Sequence, residues 1–261
     1  MIYPYEVNHR ASLTRIFKRR MHELLIDKID HSTPLDCGTI RPIFVVGCGH
    51  SGTTLVATQL FQNPQVLPIA RETHIFHPLR SLSRTKCAVS KWIFISQVLG
   101  VSAFVEKTPK HIHSIGKILS LIPSATIVFV HRDPLETIAS LSKRFDDLEF
   151  CIERYDIDNW AGLEATRKFE NVVSVPFREF KKEPEPFIQD ILQILGEEKS
   201  SDQDEEVTNY HARVKSGLLD ERVSQVSKKV NSDPKTMHTL AASDRKLISN
   251  RTKRIASLLG Y

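Results

Sequence analysis

The chain has 261 residues, enough for one large α/β domain or two small ones and for a core that folds unaided. With 41% hydrophobic and 26% charged residues, and no run near the ~20 apolar residues of a membrane helix, the composition excludes an integral membrane span. The net charge of +5 fits a mildly basic surface or an anionic ligand, and no basic tract interleaved with aromatics points to nucleic acid.

Leu13, Ile16, Phe17, Met21, Leu24, Leu25 and Ile29 recur at three- and four-residue spacing, which predicts an amphipathic N-terminal helix. A loop over 32–42 leads into a buried strand, "IFVVG" (43–47), and a helix over 53–62. Helices are expected over 74–82 and 89–100, and a second strand over 103–107. A helix over 109–122 follows, with Pro109 in its first turn. "ATIVFVHR" (125–132) is a third strand, followed by helices over 133–145 and 147–170. The strand "NVVSVPF" (171–177) and a helix over 185–196 complete the alternating pattern. An acidic loop (197–206) and two closing helices are expected next, the last over 241–259 with Gly260 at its C-terminus. Continuous apolar strands separated by helices imply a central parallel sheet flanked by helices on both faces, a three-layer α/β fold. A single domain is expected, with an N-terminal helix and lead-in (1–41), a strand–helix core (42–196) and a C-terminal helical region (197–261).

Cys37, Cys48, Cys87 and Cys151 are scattered without a C-x-x-C pair, which suggests a reducing compartment. Residues 1–20 lack an apolar signal segment, and a cytoplasmic protein is expected.

"GCGHSGTT" (47–54) lies between a buried strand and a helix start. Gly47 and Gly52 permit a tight turn, and the N–H groups of Ser51 to Thr54 at the helix start suit an anion. The glycine spacing is that of a nucleotide-hydrolysing loop, but Thr53 stands where such loops carry lysine. That disfavours γ-phosphoryl transfer and suits a smaller 5′-phosphate group. A second anion anchor is "VFVHRDPLETIAS" (128–140), where Arg132 leaves a strand end, Asp133 caps a helix and Ser140 lies about two turns on. The "HRD" within it lacks the asparagine five residues on that a protein kinase needs, since that position is Ile138.

The two anchors, in this order and about 80 residues apart, resemble the sulfotransferases that use 3′-phosphoadenosine 5′-phosphosulfate, with bacterial and tyrosylprotein sulfotransferases as the nearest pattern. "GHSGTTL" matches the family's 5′-phosphosulfate loop, which implies that Gly49, His50, Ser51, Gly52, Thr53 and Thr54 hold that end of the donor. "RDPLETIAS" matches its 3′-phosphate segment, implying Arg132 and Ser140 there. "ARETHIF" (70–76) resembles the segment that supplies the catalytic carboxylate, implying Glu72 as general base. "VEKTPKH" (105–111) resembles a segment whose lysine, here Lys107, faces the sulfate. The family usually has Arg or Lys where this chain has His50. An imidazole can donate a hydrogen bond, or a charge if protonated, so His50 is a third catalytic candidate.

The resemblance implies sulfuryl transfer to an acceptor hydroxyl on a carbohydrate, lipid, small metabolite or tyrosine, with no metal required. The acceptor pocket is expected from 74–100 and 146–170. Two alternatives stand: a P-loop kinase of small molecules or nucleotides, and a non-catalytic nucleotide-binding relative.

Overall fold

The computed structural model describes residues 33–69, 71–193 and 240–261. The expected helix over 13–29, the acidic loop and the first closing helix lie outside them. No helix among the described residues is long and apolar enough to cross a membrane.

Among the described residues five strands form one sheet: β1 (Arg41–Gly47), β2 (Val66–Ile69), β3 (Ala103–Lys107), β4 (Thr126–His131) and β5 (Val172–Pro176), in the order β2-β3-β1-β4-β5. Every pairing is parallel. β1, β3 and β4 occupy the middle because both of their faces are largely buried, and β4 is buried along its whole length. β2 was not expected from sequence. It has four residues, "VLPI", and Pro68 is tolerated because the strand lies at an edge.

Alternate residues of the strands supply two cores. Ile43, Val45, Val105, Val128 and Val130 pack against α1 (Thr53–Phe61), α6 (Phe177–Lys182) and α7 (Pro184–Gln193). Phe44, Val46, Phe104, Ile127 and Phe129 face the other layer. That layer holds α2 (Leu82–Val98), a 3-10 turn (Pro109–Ser114) continued by α3 (Ile115–Leu121), α4 (Pro134–Ser142), α5 (Leu148–Lys168) and α8 (Ala242–Leu258). The expected three-layer α/β fold is therefore the observed one.

The helix expected over 74–82 does not form. His74 sits at φ 50°, and the N–H groups of Thr73 and Phe76 donate to side chains of the Glu106–His111 stretch instead of to a helical ladder. Helix α2 starts only at Leu82, capped by the Ser81 side chain accepting from the Arg84 N–H. The expected cap on α4 is present: Asp133 accepts from the Glu136 N–H and Pro134 opens the helix.

After β1 the chain runs toward β2 at one edge of the sheet, and after β4 toward β5 at the other. The loops leaving the C-terminal ends of neighbouring β1 and β4 therefore diverge, and such a switch point is where an open parallel sheet leaves a ligand crevice.

Candidate functional site

Both sequence anchors start at this switch point. β1 ends on Gly47 (φ 154°), where a Cβ would lie 2.3 Å from the Val130 carbonyl oxygen of β4. Only glycine lets the turn pass so close to the neighbouring strand. The Ser51 hydroxyl donates to that carbonyl at 3.0 Å, and the Ser51 N–H donates to the Cys48 carbonyl. Ser51 thus fastens the turn to β4 with its hydroxyl and closes the turn on itself with its N–H. Gly52 (φ 101°) opens α1 with the Phe177 ring against it, since a Cβ there would meet the ring at 2.2 Å. Gly52, Thr53 and Thr54 stand at the helix N-terminus, where N–H groups have no intrahelical acceptor.

His50 is held at φ 69°. It and His74 are the described non-glycine residues in the left-handed region, and strain of this kind gathers at functional sites. The His50 Nδ1 lies 2.8 Å from the Ser140 Oγ on α4. The turn after β1 and the helix after β4 therefore touch through two residues singled out for opposite ends of one ligand. Burial pushes the His50 imidazole below its ordinary pKa, and the Arg154, Arg144 and Arg132 charges push it further, against a smaller upward pull from Glu72. With its pKa below the ordinary 6.5, His50 acts near pH 7 as a neutral hydrogen-bonding group.

Arg132 follows β4 directly. Its Nε donates to Glu136 Oε2 at 2.6 Å, and its guanidinium lies 5.0 Å over the Phe177 ring, the same ring that packs on Gly52. The Tyr155 hydroxyl donates to the Arg132 carbonyl at 2.9 Å and fixes the backbone there. Four further donors remain on the guanidinium for an anion.

Glu72 and Lys107 leave the ends of β2 and β3 and meet at 2.7 Å, Nζ to Oε1, with His74 Nε2 at 3.7 Å from the other carboxylate oxygen. The segment that carries Glu72 is fastened from below by Glu106, a fully buried carboxylate on β3. Glu106 accepts from the Thr73 hydroxyl at 2.7 Å, from the Thr108 hydroxyl and from His111 Nδ1 at 3.1 Å. His111 Nε2 accepts from the Phe76 N–H, so its proton is on Nδ1, aimed at Glu106. Burial alone would raise the Glu106 pKa, but the interaction with His111 and these hydrogen bonds outweigh it and hold the carboxyl low.

The structure also brings in residues that sequence reading passed over. Phe177 was read as the end of a strand, yet it opens α6 and packs between the two anchors. Arg154 on α5 reaches the turn, with Nη2 2.8 Å from where a Cβ on Gly49 would stand. Nothing in the sequence distinguishes this arginine from the other basic residues, because the contact depends on how α5 crosses the sheet.

The sulfotransferase family model matches residues 88–202, a stretch that includes Lys107, Arg132 and Ser140 and begins after the 47–54 turn and Glu72. No curated protein matches the sequence. Among solved structures, the fold is similar to the sulfotransferase domain of the Synechococcus PCC 7002 olefin synthase, at TM-score 0.56 and 16% identity over 90% of this chain and 98% of that one. It is also similar to the sulfotransferase domain of the curacin biosynthetic pathway (TM-score 0.52, 15% identity, 88% and 99% covered). Sulfotransferase STF9 from Mycobacterium avium is a third (TM-score 0.50, 13% identity, 91% and 80% covered). The family match thus covers residues 88–202 of this chain, and the fold as a whole is similar to that of these sulfotransferases.

Proposed function

We propose that the protein transfers a sulfuryl group from 3′-phosphoadenosine 5′-phosphosulfate to an acceptor hydroxyl. The observation that supports this reading is the 2.8 Å contact between His50 and Ser140, which brings the 47–54 turn against the Arg132–Ser140 segment. The residues fit the donor. The helix-start N–H groups of 52–54 and the Thr53 and Thr54 hydroxyls would take its 5′ end, and Arg132 with Ser140 its 3′-phosphate. When bound, the donor supplies an activated sulfuryl group on a phosphate leaving group.

The remaining steps fall to this chain. Glu72 presents a carboxylate to an acceptor hydroxyl and takes its proton as the oxygen attacks. Lys107 stands beside it and offsets negative charge that develops between donor and acceptor. The Glu72 carboxylate keeps lone pairs beyond the one that Lys107 uses, so an acceptor hydroxyl can approach it without breaking the pair. The Glu106–Thr73–His111 network holds the Glu72 segment in place while this happens. The neutral His50 can donate one hydrogen bond to the leaving phosphate. All four cysteines are free thiols, in keeping with a cytoplasmic location.

The acceptor is open among carbohydrate, lipid, small-metabolite and tyrosine hydroxyls. Incubation with sulfur-labelled donor and a mixed acceptor library is expected to give a labelled product that disappears in Glu72→Ala. Magnesium-dependent transfer from ATP, with no label transferred from the phosphosulfate, would overturn the reading in favour of a kinase.

A further inference from the structure

The turn at 47–54 brings no cation to its ligand. Its one titratable basic side chain, His50, is held neutral by burial and neighbouring guanidinium groups. A phosphate group bound there needs positive charge from elsewhere, because desolvating an anion without a partner is costly. Arg154 is a basic side chain that reaches the turn at Gly49. Its Nη2 lies 2.8 Å, and its Cζ 3.5 Å, from the position a Cβ on Gly49 would take.

Gly49 itself is informative. It is absent from the residues with positive φ, so no left-handed backbone requires glycine there. What a side chain at 49 would meet is the arginine head group. The glycine makes room for a guanidinium against the backbone of an anion-binding turn.

The head group is placed rather than loose. Its side chain is only 11% exposed, its Nε stands 3.6 Å from Asp158 Oδ2 one helical turn on, and its guanidinium lies 5.4 Å over the Phe145 ring. The Asp158 pair does not use up its charge. Asp158 is shared with His113 at 2.6 Å and Lys110 at 3.5 Å, and the Arg154 Nε is buried with no hydrogen-bond partner among the described residues. Of the charges acting on His50, that of Arg154 has the greatest effect.

We infer that Arg154 is a donor-binding residue that supplies the positive charge of the 47–54 turn, reaching the 5′-phosphate end of the nucleotide past Gly49. This rests on the donor site proposed above and adds a residue to it from outside both sequence anchors. A cation carried on α5 replaces one that the turn lacks.

The test is calorimetric titration of the full chain and its variants with 5′-AMP, 3′-AMP and adenosine 3′,5′-bisphosphate. Arg154→Ala is expected to weaken 5′-AMP and the bisphosphate about tenfold or more, the usual loss of a charge-assisted hydrogen bond, and to leave 3′-AMP unchanged. Gly49→Ala, which pushes the guanidinium away without straining the backbone, is expected to act in the same direction. The double variant should then bind no more weakly than Arg154→Ala alone, because both changes remove one interaction. If Arg154→Ala does not fold, Gly49→Ala carries the test by itself, since it keeps the Arg154–Asp158 pair. Unchanged 5′-AMP affinity in a folded variant, or an equal loss for 3′-AMP, overturns this inference alone. A parent protein that binds none of the three nucleotides overturns the donor site, and this inference with it.

Discussion

Glu136→Gln should tighten the binding of adenosine 3′,5′-bisphosphate, while Arg132→Ala should weaken it. The two side chains form an i,i+4 ion pair at 2.6 Å, with side chains 24% and 37% exposed. A pair so exposed contributes only about 0.3–0.5 kcal/mol. A guanidinium bound to phosphate contributes about 1.5–3 kcal/mol. The ligand must draw Arg132 partly away from Glu136, so the net loss in Arg132→Ala is roughly 1–2.5 kcal/mol, or about five- to seventyfold in Kd. Removing the Glu136 charge releases Arg132 and takes away a like charge near the phosphate, which predicts about a twofold gain. Arg132→Ala/Glu136→Gln should match Arg132→Ala within about a factor of two, because the carboxylate acts mainly through the arginine. Isothermal titration at one fixed ionic strength measures all four Kd values. Weaker binding by Glu136→Gln, or Arg132→Ala within twofold of the parent, would refute the placement of Arg132 at the 3′-phosphate.

Glu72→Ala is expected to lose turnover while retaining bisphosphate affinity, and Lys107→Ala to lower kcat more than donor KM; a defect confined to affinity in either contradicts its assigned role. Gly52→Ala combines a φ of 101° with a Cβ that would meet the Phe177 ring at 2.2 Å, so urea unfolding should show a loss of about 2 kcal/mol or more. An unchanged midpoint would mean that the turn and α6 do not pack as described. Burial lowers the His131 pKa to about 4 from 6.5, against a smaller opposing pull from Glu179. Its Nε2 shares a hydrogen bond with Ser174 Oγ, and its buried Nδ1 has no donor facing it among the described residues. Above pH 6.5 both folded and unfolded states hold this imidazole neutral; below it, the unfolded state takes up the proton first. Stability should therefore fall as pH drops from about 6.5 to about 4, by up to about 3 kcal/mol from this residue, and His131→Phe should flatten that part of the urea-unfolding pH profile.

Much of the fold was legible because each central strand contains a run of three or more apolar residues. "IFVVG", "AFVEK" and "TIVFVH" are buried on both faces, and the helices between them carry their own start signals, such as Asp133-Pro134. β2 escaped because four residues containing a proline give no periodicity, and an edge position tolerates both features. The stretch 74–82 reads as helical from its apolar spacing. Its backbone is instead captured by buried polar groups around Glu106, and local spacing carries no information about a long-range hydrogen bond. The candidate site divides in the same way. Residues in contiguous strand–turn–helix units, from Gly47 to Thr54 and from Arg132 to Ser140, announce themselves through turn and cap chemistry. Arg154, Phe177 and the Glu106–His111 pair do not, because their place at the site depends on packing between elements remote in sequence.

The central claim is that one nucleotide spans the crevice between the 47–54 turn and the Arg132–Ser140 segment. Calorimetric comparison of adenosine 3′,5′-bisphosphate with 5′-AMP and 3′-AMP on the parent protein tests it most directly. One bisphosphate per chain is expected, bound at least tenfold more tightly than either monophosphate, with Ser140→Ala removing much of the advantage over 5′-AMP. A bisphosphate that binds no better than 5′-AMP, or at two independent sites, contradicts the claim.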